Sequence, residues 1–382
     1  MNTALIVGAG IGGLAAGVAL RRVGWRTRIF ERASNPRELG FALNLASNAM
    51  AALRELGVAD AVIGGGYTPR VAELRGEHGR LLRRIDARTI VSDSAVAMRP
   101  VVHGALLSAA GVDTIQLSRE AIDCDQGDRK VTLVFRDGST ESGDILVGAD
   151  GMASSIRRHL HSGEAPPHES GYSAIRGAVD DIGPILGELD AIGYFVPRME
   201  VAVVRAGPRA AYWYMSLVTV DLPPAVSDPR SIATHFASRL DSTFTRVTEA
   251  TRGEDLRFDE LYEREPLARW GRGRVTLLGD AAHPMLPHTG QGAAQALEDA
   301  VALALALDGA DDHERALRRY EQVRAARTRG FVKAGPRIAR VTTSRSTIVS
   351  AIRNAAVRLA PTPLVVRALQ NASARDPHAP LR

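Results

Sequence analysis

The chain has 382 residues, 45% hydrophobic and 24% charged, enough for two domains or one large α/β domain with an insertion. Its 48 basic and 43 acidic side chains give +5, nearly all the base being arginine, and no basic stripe interleaved with aromatics suggests nucleic-acid binding. One cysteine, Cys124, excludes an internal disulfide and a cysteine-based zinc site. No stretch is apolar for long enough to span a bilayer, and the apolar start has no basic leader, so a cytoplasmic protein is expected.

Residues 3–7 (TALIV) read as a short buried strand, GAGIGG (8–13) as a turn, 13–23 as a helix stopped by Gly24, and 26–31 as the next strand. A second helix is expected at 47–56, with Ser47 as N-cap and Gly57 as the stop. Two short strands, 71–75 and 80–85, flank a turn at 77–79, and 98–110 reads as a helix. The segment 130–135 alternates as a strand before the Asp137-Gly138 turn. Residues 144–147 form a buried strand running into GADG, and a helix covers 153–160. Beyond 168 the pattern changes: strands at 191–197, 200–206 and 210–220 and a helix near 230–240 suggest an antiparallel sheet with a covering helix. Helical pattern dominates from 292, and Pro361 and Pro363 break it near the end.

Gly8-x-Gly10-x-x-Gly13 between a strand and a helix is the setting in which this spacing binds a dinucleotide. Gly8 allows the tight turn, Gly10 lets the backbone approach a pyrophosphate, and Gly13 lets helix and strand pack closely. The helix N-terminus offers free N–H groups and about half a positive charge. Glu31, 18 residues after Gly13, can accept hydrogen bonds from an adenosine ribose and argues against a 2′-phosphate. A second glycine site lies in GDAAHPMLPHTGQG (279–292), after the apolar run 275–278. Asp280 can take hydrogen bonds from a polyol chain, and Gly290-Gln291-Gly292 opens a helix without side chains to block a flat ligand. Backbone N–H groups there favour the negative charge of a reduced flavin. The two sites suit the two ends of FAD.

GAGIGG (8–13), GADGMASSIR (148–157) and GDAAHPMLPHTGQGAAQALEDA (279–300) resemble the three signature motifs of the class A flavoprotein monooxygenases, in order and spacing over nearly the whole chain. The resemblance implies an α/β fold: a Rossmann-like FAD-binding domain, discontinuous in sequence, with an antiparallel-sheet substrate domain and C-terminal helices. The FAD-binding parts would be 1–70, 98–168 and 268–335, with substrate-side strands at 71–97, the substrate domain at 169–267, and C-terminal helices and tail at 336–382. Asp280 would bind the ribityl chain, Gly290, Gln291, Gly292 and Ala293 would line the isoalloxazine, and Pro287 would lie by its reacting edge. Asp150 and Gly151 belong to the motif tied to FAD and pyridine nucleotide, and Arg99 would reach the FAD phosphates. Arg99 departs from the family's pattern of following leucines, since only Leu106 keeps it and Val102 replaces the first. Phe41-Ala42-Leu43 stands where relatives often carry small residues.

The activity so implied is NAD(P)H-consuming hydroxylation of an aromatic or other electron-rich small molecule with O2, through a flavin C4a-hydroperoxide. An epoxidase, another flavin oxidoreductase tailoring a natural product or lipid, or a non-catalytic binding protein on the same scaffold also fits. With one GxGxxG, NADPH or NADH would visit a groove between domains. Arg176, in GYSAIRGAV, is the first substrate-side candidate, followed by Tyr194, Trp213, Tyr214 and Met215. His288 is a further one, while His283 is expected to make structural hydrogen bonds. The two histidines do not share a helical face, and no metal site is expected. Glu298-Asp299 is expected to fix its helix against neighbours rather than act as an acid/base pair. The stretch 336–358 mixes apolar residues with arginines; a solvated helix packed on its own domain is preferred to a membrane-surface helix.

Overall fold

The structure is a computed structural model and describes residues 1–35, 41–86, 93–222, 228–361 and 381. Strand β1 (Thr3–Val7) is buried on both faces, as a central parallel strand must be. It pairs in parallel with β2 (Arg26–Phe30) and β11 (Ile145–Gly148). β7 (Ile115–Gln116) and β17 (Val275–Leu277) complete the order β17-β11-β1-β2-β7. Helix α1 (Ile11–Arg22) links β1 to β2 and packs against α4 (Arg99–Ala110) and α9 (Gly292–Leu307). α9 is buried almost all round because α2 (Ser47–Glu55) and α10 (His313–Thr342) cover its other sides. An antiparallel ribbon of β8 (Ala121–Gln126), β9 (Val131–Phe135) and β10 (Thr140–Gly143) adds Cys124, Leu133 and Phe135 to this core.

A second, seven-stranded sheet has the order β16-β12-β15-β14-β13-β4-β5. Its strands are β16 (Leu256–Glu263), β12 (His168–Val179), β15 (Ala211–Val218), β14 (Met199–Arg205), β13 (Ala191–Val196), β4 (Val71–Arg75) and β5 (Leu81–Asp86). Pairing is antiparallel except between β13 and β4. One face packs with α6 (Gly183–Leu186), α7 (Pro229–Ala237) and α8 (Ser242–Ala250) in a separate core. A short ribbon, β3 (Ala42–Leu45) with β6 (Ala95–Met98), lies between α2, α3 (Ala59–Gly65) and α4. α5 (Ser155–Leu160) follows β11, and α11 (Thr347–Leu359) lies against β5 and β13.

The expected elements appear within a few residues of their positions, and two readings need correction. Side chains alternate along a strand, so Trp213 and Met215 point away from Tyr214 into the helix-covered core, with Tyr194 beside them. Trp213 Nε1 donates to Thr251 Oγ1 at 2.9 Å and Tyr194 Oη to Asp241 Oδ1 at 2.8 Å, so neither faces a substrate space. Ser47 is the first residue of α2, not its cap; Ala46 holds the cap position without a side-chain bond. α11 packs on its own chain, as expected, and does so through Ser350 and Asn354, its only buried residues. The expected break at Pro363 lies outside the described residues.

Candidate active site

The glycine turn after β1 is shaped by contacts that a side chain would break. Gly8 has φ +101°, and a Cβ there would lie 2.5 Å from Ala149 O; one at Gly13 would lie 1.9 Å from Gly8 O. Gly10 caps α1, whose first turn carries no acid, so its free N–H groups face the space in front of it. Glu31 follows β2 and accepts from Ala9 N and Ala33 N, both at 2.9 Å, tying the turn to the strand end. His103 on α4 holds Ala9 O at 2.8 Å from behind.

The second motif continues from β11. Asp150 Oδ2 accepts from Ser155 N at 2.7 Å and Ser155 Oγ at 3.0 Å, while its buried Oδ1 has no partner in the protein. Arg157 is fully buried and donates to Ala281 O at 3.0 Å and Ala282 O at 3.1 Å, so the second motif grips the third. Gly290 has φ +63°, and a Cβ at Gly290 or Gly292 would meet no protein atom. The missing side chains keep open a space bounded by the loop.

Beneath this loop lies a buried ionic cluster. Arg324 of α10 reaches both acids of α9, Glu298 at 2.5 Å and Asp299 at 2.6 Å, all three fully buried. The adjacent acids, expected to brace the helix, do so through one guanidinium. His283 Nε2 lies 2.5 Å from Asp299 Oδ2, the structural role expected of it. Burial pushes the Asp299 carboxyl up, but His283 and Arg324 outweigh it and hold it at about 2. Asn48 Nδ2 donates to Glu298 at 2.6 Å and to Gln291 Oε1 at 3.0 Å, so the Gln291 side chain belongs to this cluster. Gly335 lets α10 approach the loop, since a Cβ there would lie 3.2 Å from that of Leu286.

One cavity of about 1190 Å³ runs from the first glycine turn past the flavin-type loop to the open face of the seven-stranded sheet. Gly8, Gly10, Glu31 and Arg99 line one end, and Asp150, Gly151 and Asp280 its middle. Pro287, His288, Gly290, Gln291, Gly292, Ala293 and Arg176 line the cavity as well. Of the cofactor-binding candidates only Gly13 stands outside, in the packing behind Gly8.

On the sheet side, Tyr212 and Tyr214 stack at 6.0 Å with 28° between planes, and Phe41 stands 5.6 Å from Tyr212. Burial raises the Tyr212 phenol to about 12; burial and Glu200 hold that of Tyr214 well above its ordinary value, so both stay protonated. Tyr214 Oη donates to Glu200 at 2.7 Å. Arg176 is 3.2 Å from Asp259, so much of its charge is met inside the protein. His288 Nε2 is 2.9 Å from Ser216 Oγ, its Nδ1 is buried without a partner, and burial holds its pKa below the ordinary value. Sequence reading missed Tyr212, Ser216 and Asp259; the period-two pattern of 211–218 already placed Tyr212, Tyr214 and Ser216 on one face.

This geometry defines a dinucleotide-binding protein with a large cavity beside the second glycine site. The family model described as an FAD binding domain matches residues 1–334. Aurachin C monooxygenase/isomerase of Stigmatella aurantiaca is 33% identical over 346 residues, covering 89% of each chain. The 6-hydroxynicotinate 3-monooxygenase of Bordetella bronchiseptica is 30% identical over 345 residues, covering 84% of this chain and 87% of its own. A variant of HpxO from Klebsiella pneumoniae, crystallised with FAD, has the same fold at a TM-score of 0.90, with 25% identity and 98% of each chain covered. The chain belongs to the class A flavoprotein monooxygenases, and its cofactor is FAD.

Proposed function

We propose that the protein hydroxylates a flat, electron-rich aromatic or heteroaromatic molecule, taking electrons from NADH or NADPH and oxygen from O2. The observation that carries this reading is the continuity of the cavity from the dinucleotide turn to the Phe41, Tyr212 and Tyr214 rings. Bound FAD supplies, when reduced, the activation of O2 for transfer of one oxygen atom to an electron-rich carbon. The chain's task is to hold, orient and dry the reactants. Gly8, Gly10 and the start of α1 would take the pyrophosphate, Glu31 the ribose, Arg99 the phosphates and Asp280 the ribityl chain. The open Cβ positions of Gly290 and Gly292 fit a flat ring against the loop, with Gln291 and Ala293 completing its bed. The orphaned Oδ1 of Asp150, beside Gly151, suits a hydroxyl donor of the cofactor.

The substrate would lie between the Pro287–His288 edge and the sheet face. Tyr212 and Tyr214 offer it aromatic walls, and Arg176 a donor tempered by Asp259. Ser216, hydrogen-bonded to a His288 kept neutral by burial, offers a phenolic or enolic proton an acceptor at the cavity wall. The nicotinamide donor enters without a glycine-rich domain of its own.

The first test is the visible spectrum of the purified protein, with the released cofactor identified by chromatography. FAD is expected. NADH and NADPH oxidation is then followed with a panel of phenols and hydroxylated N-heterocycles, and the product checked for one added oxygen atom. A yellow protein that consumes neither nucleotide with any of them would end the hydroxylase reading and favour a binding role.

A further inference from the structure

α11 is amphipathic the wrong way round for a helix that packs by burial. Ile348, Ala351, Ile352, Ala355, Ala356 and Leu359 fall at i, i+3, i+4, i+7, i+8 and i+11, the spacing of a single apolar stripe, and all six are exposed. Ile348 is 71% exposed, Ile352 65% and Leu359 77%. Hydrogen bonds hold the opposite face to the protein. Asn354 Nδ2 donates to Phe195 O at 3.1 Å, and Arg83 Nη1 to Val357 O at 2.9 Å and Ala360 O at 2.7 Å. Ile338 and Val341, at the end of α10, extend the exposed apolar surface. Half of the large hydrophobic side chains exposed among the described residues lie on this one hairpin, so it is a patch and not ordinary scatter.

Charge decides what such a patch would meet. Between Glu321 and Asp376 the sequence carries eleven basic residues and no acidic one. Lys333, Arg337, Arg340 and Arg358 are exposed on the same two helices. A second copy of the chain meeting this face through its own would bring like charges together. The chain's own residues 362–380 would add Arg367 and Arg375 against a single Asp376. An anionic lipid surface supplies both complements, apolar chains for the stripe and phosphate headgroups for the arginines. We propose that the α10–α11 hairpin is a peripheral docking surface for an anionic phospholipid bilayer. The helix lies in the interface plane, the Ile348–Leu359 stripe enters the acyl boundary, and the arginines remain at headgroup level.

The test is flotation of the FAD-loaded, full-length protein with phosphatidylcholine vesicles, with and without phosphatidylglycerol. Partitioning at low salt should be at least about ten-fold stronger on the anionic vesicles and should collapse in high salt. I348E/I352E should lose binding at both salt levels, while R337E/R340E should lose only the preference for anionic lipid. All four positions are solvent-facing, so flavin content and unfolding midpoint should match the parent protein. Absence of binding to anionic vesicles, or equal binding to both kinds, overturns the proposal. So does a dimer in light scattering that I348E/I352E dissociates, because the stripe is then an interface between copies. None of these readouts uses turnover, so they stand or fall apart from the hydroxylase reading.

Discussion

The two sides of the cavity are made of different material. The side proposed for the cofactor is mostly backbone: a glycine turn, the starts of α1 and α9 that line the cavity, and a loop with a left-handed residue at Gly290. The side proposed for the substrate is side chains, with Arg176, Tyr212, Tyr214 and Ser216 lining the cavity from an antiparallel sheet. Backbone-built sites tolerate almost no substitution at the glycines that shape them. A sheet face can exchange its side chains without losing its strands, and substrate choice can therefore vary over a constant cofactor bed.

That contrast can be broken by substitution on either side. The largest effect is expected from Gly13→Val, whose Cβ would sit 1.9 Å from a carbonyl oxygen in the turn: flavin absorbance per mole of protein should be nearly lost. Arg324→Met comes next. It removes the guanidinium shared by Glu298 and Asp299, buried acids then left with Arg327, His283 and the neutral donors Asn48, Gln295 and Gly279 N, and should cost about 3–5 kcal/mol in urea unfolding. A cost near zero would show that the cluster does not brace the loop. Gly290→Ala must hold an alanine at φ +63°, at about 1–2 kcal/mol, and also places a methyl in the open space. FAD affinity should fall about ten-fold or more, roughly 1.4 kcal/mol. Tyr214→Phe removes one hydrogen bond to Glu200 and should change kcat/KM by about two- to twelve-fold, the equivalent of 0.5–1.5 kcal/mol, with flavin content unchanged. Flavin loss in that variant would erase the division between the sides.

The smallest expected effect is a pH dependence. Burial lowers the His288 pKa, so the unfolded chain takes up this proton first as pH falls. The linked stability is full above about pH 6.5 and declines below it, and activity that uses the neutral ring holds at neutral pH. His288→Asn should remove that component from the acid limb of kcat/KM. An unchanged limb assigns it to another group.

The same division explains what the sequence revealed. Gly8, Gly13 and Gly290 are legible because local geometry forces the residue type, and a motif is a record of such forcing. The parallel strands were legible as short apolar runs between breakers. Tyr194, Trp213 and Met215 were misplaced as substrate-side candidates because residue type does not say which face of a sheet will be covered by helices. Arg324 and Asn48 escaped notice because their partners lie 25 and 250 residues away, and no local pattern marks a lone arginine or asparagine as buried. The outward stripe of α11 ran against a sound rule, that an apolar helix face turns inward.

The order in which the parts are made has its own consequence. β17, which closes the edge of the parallel sheet against β11, begins only at residue 275, and the glycine loop lining the cavity follows it. A chain growing from its N-terminus completes the Gly8–Gly13 turn early and has nothing to set opposite it for most of its synthesis. Until then β11, four fully buried residues in the finished protein, stands as an open apolar edge that other strands can join. A message cut short before that point should yield aggregate rather than half an enzyme, and flavin should be taken up only once the last strand is in place.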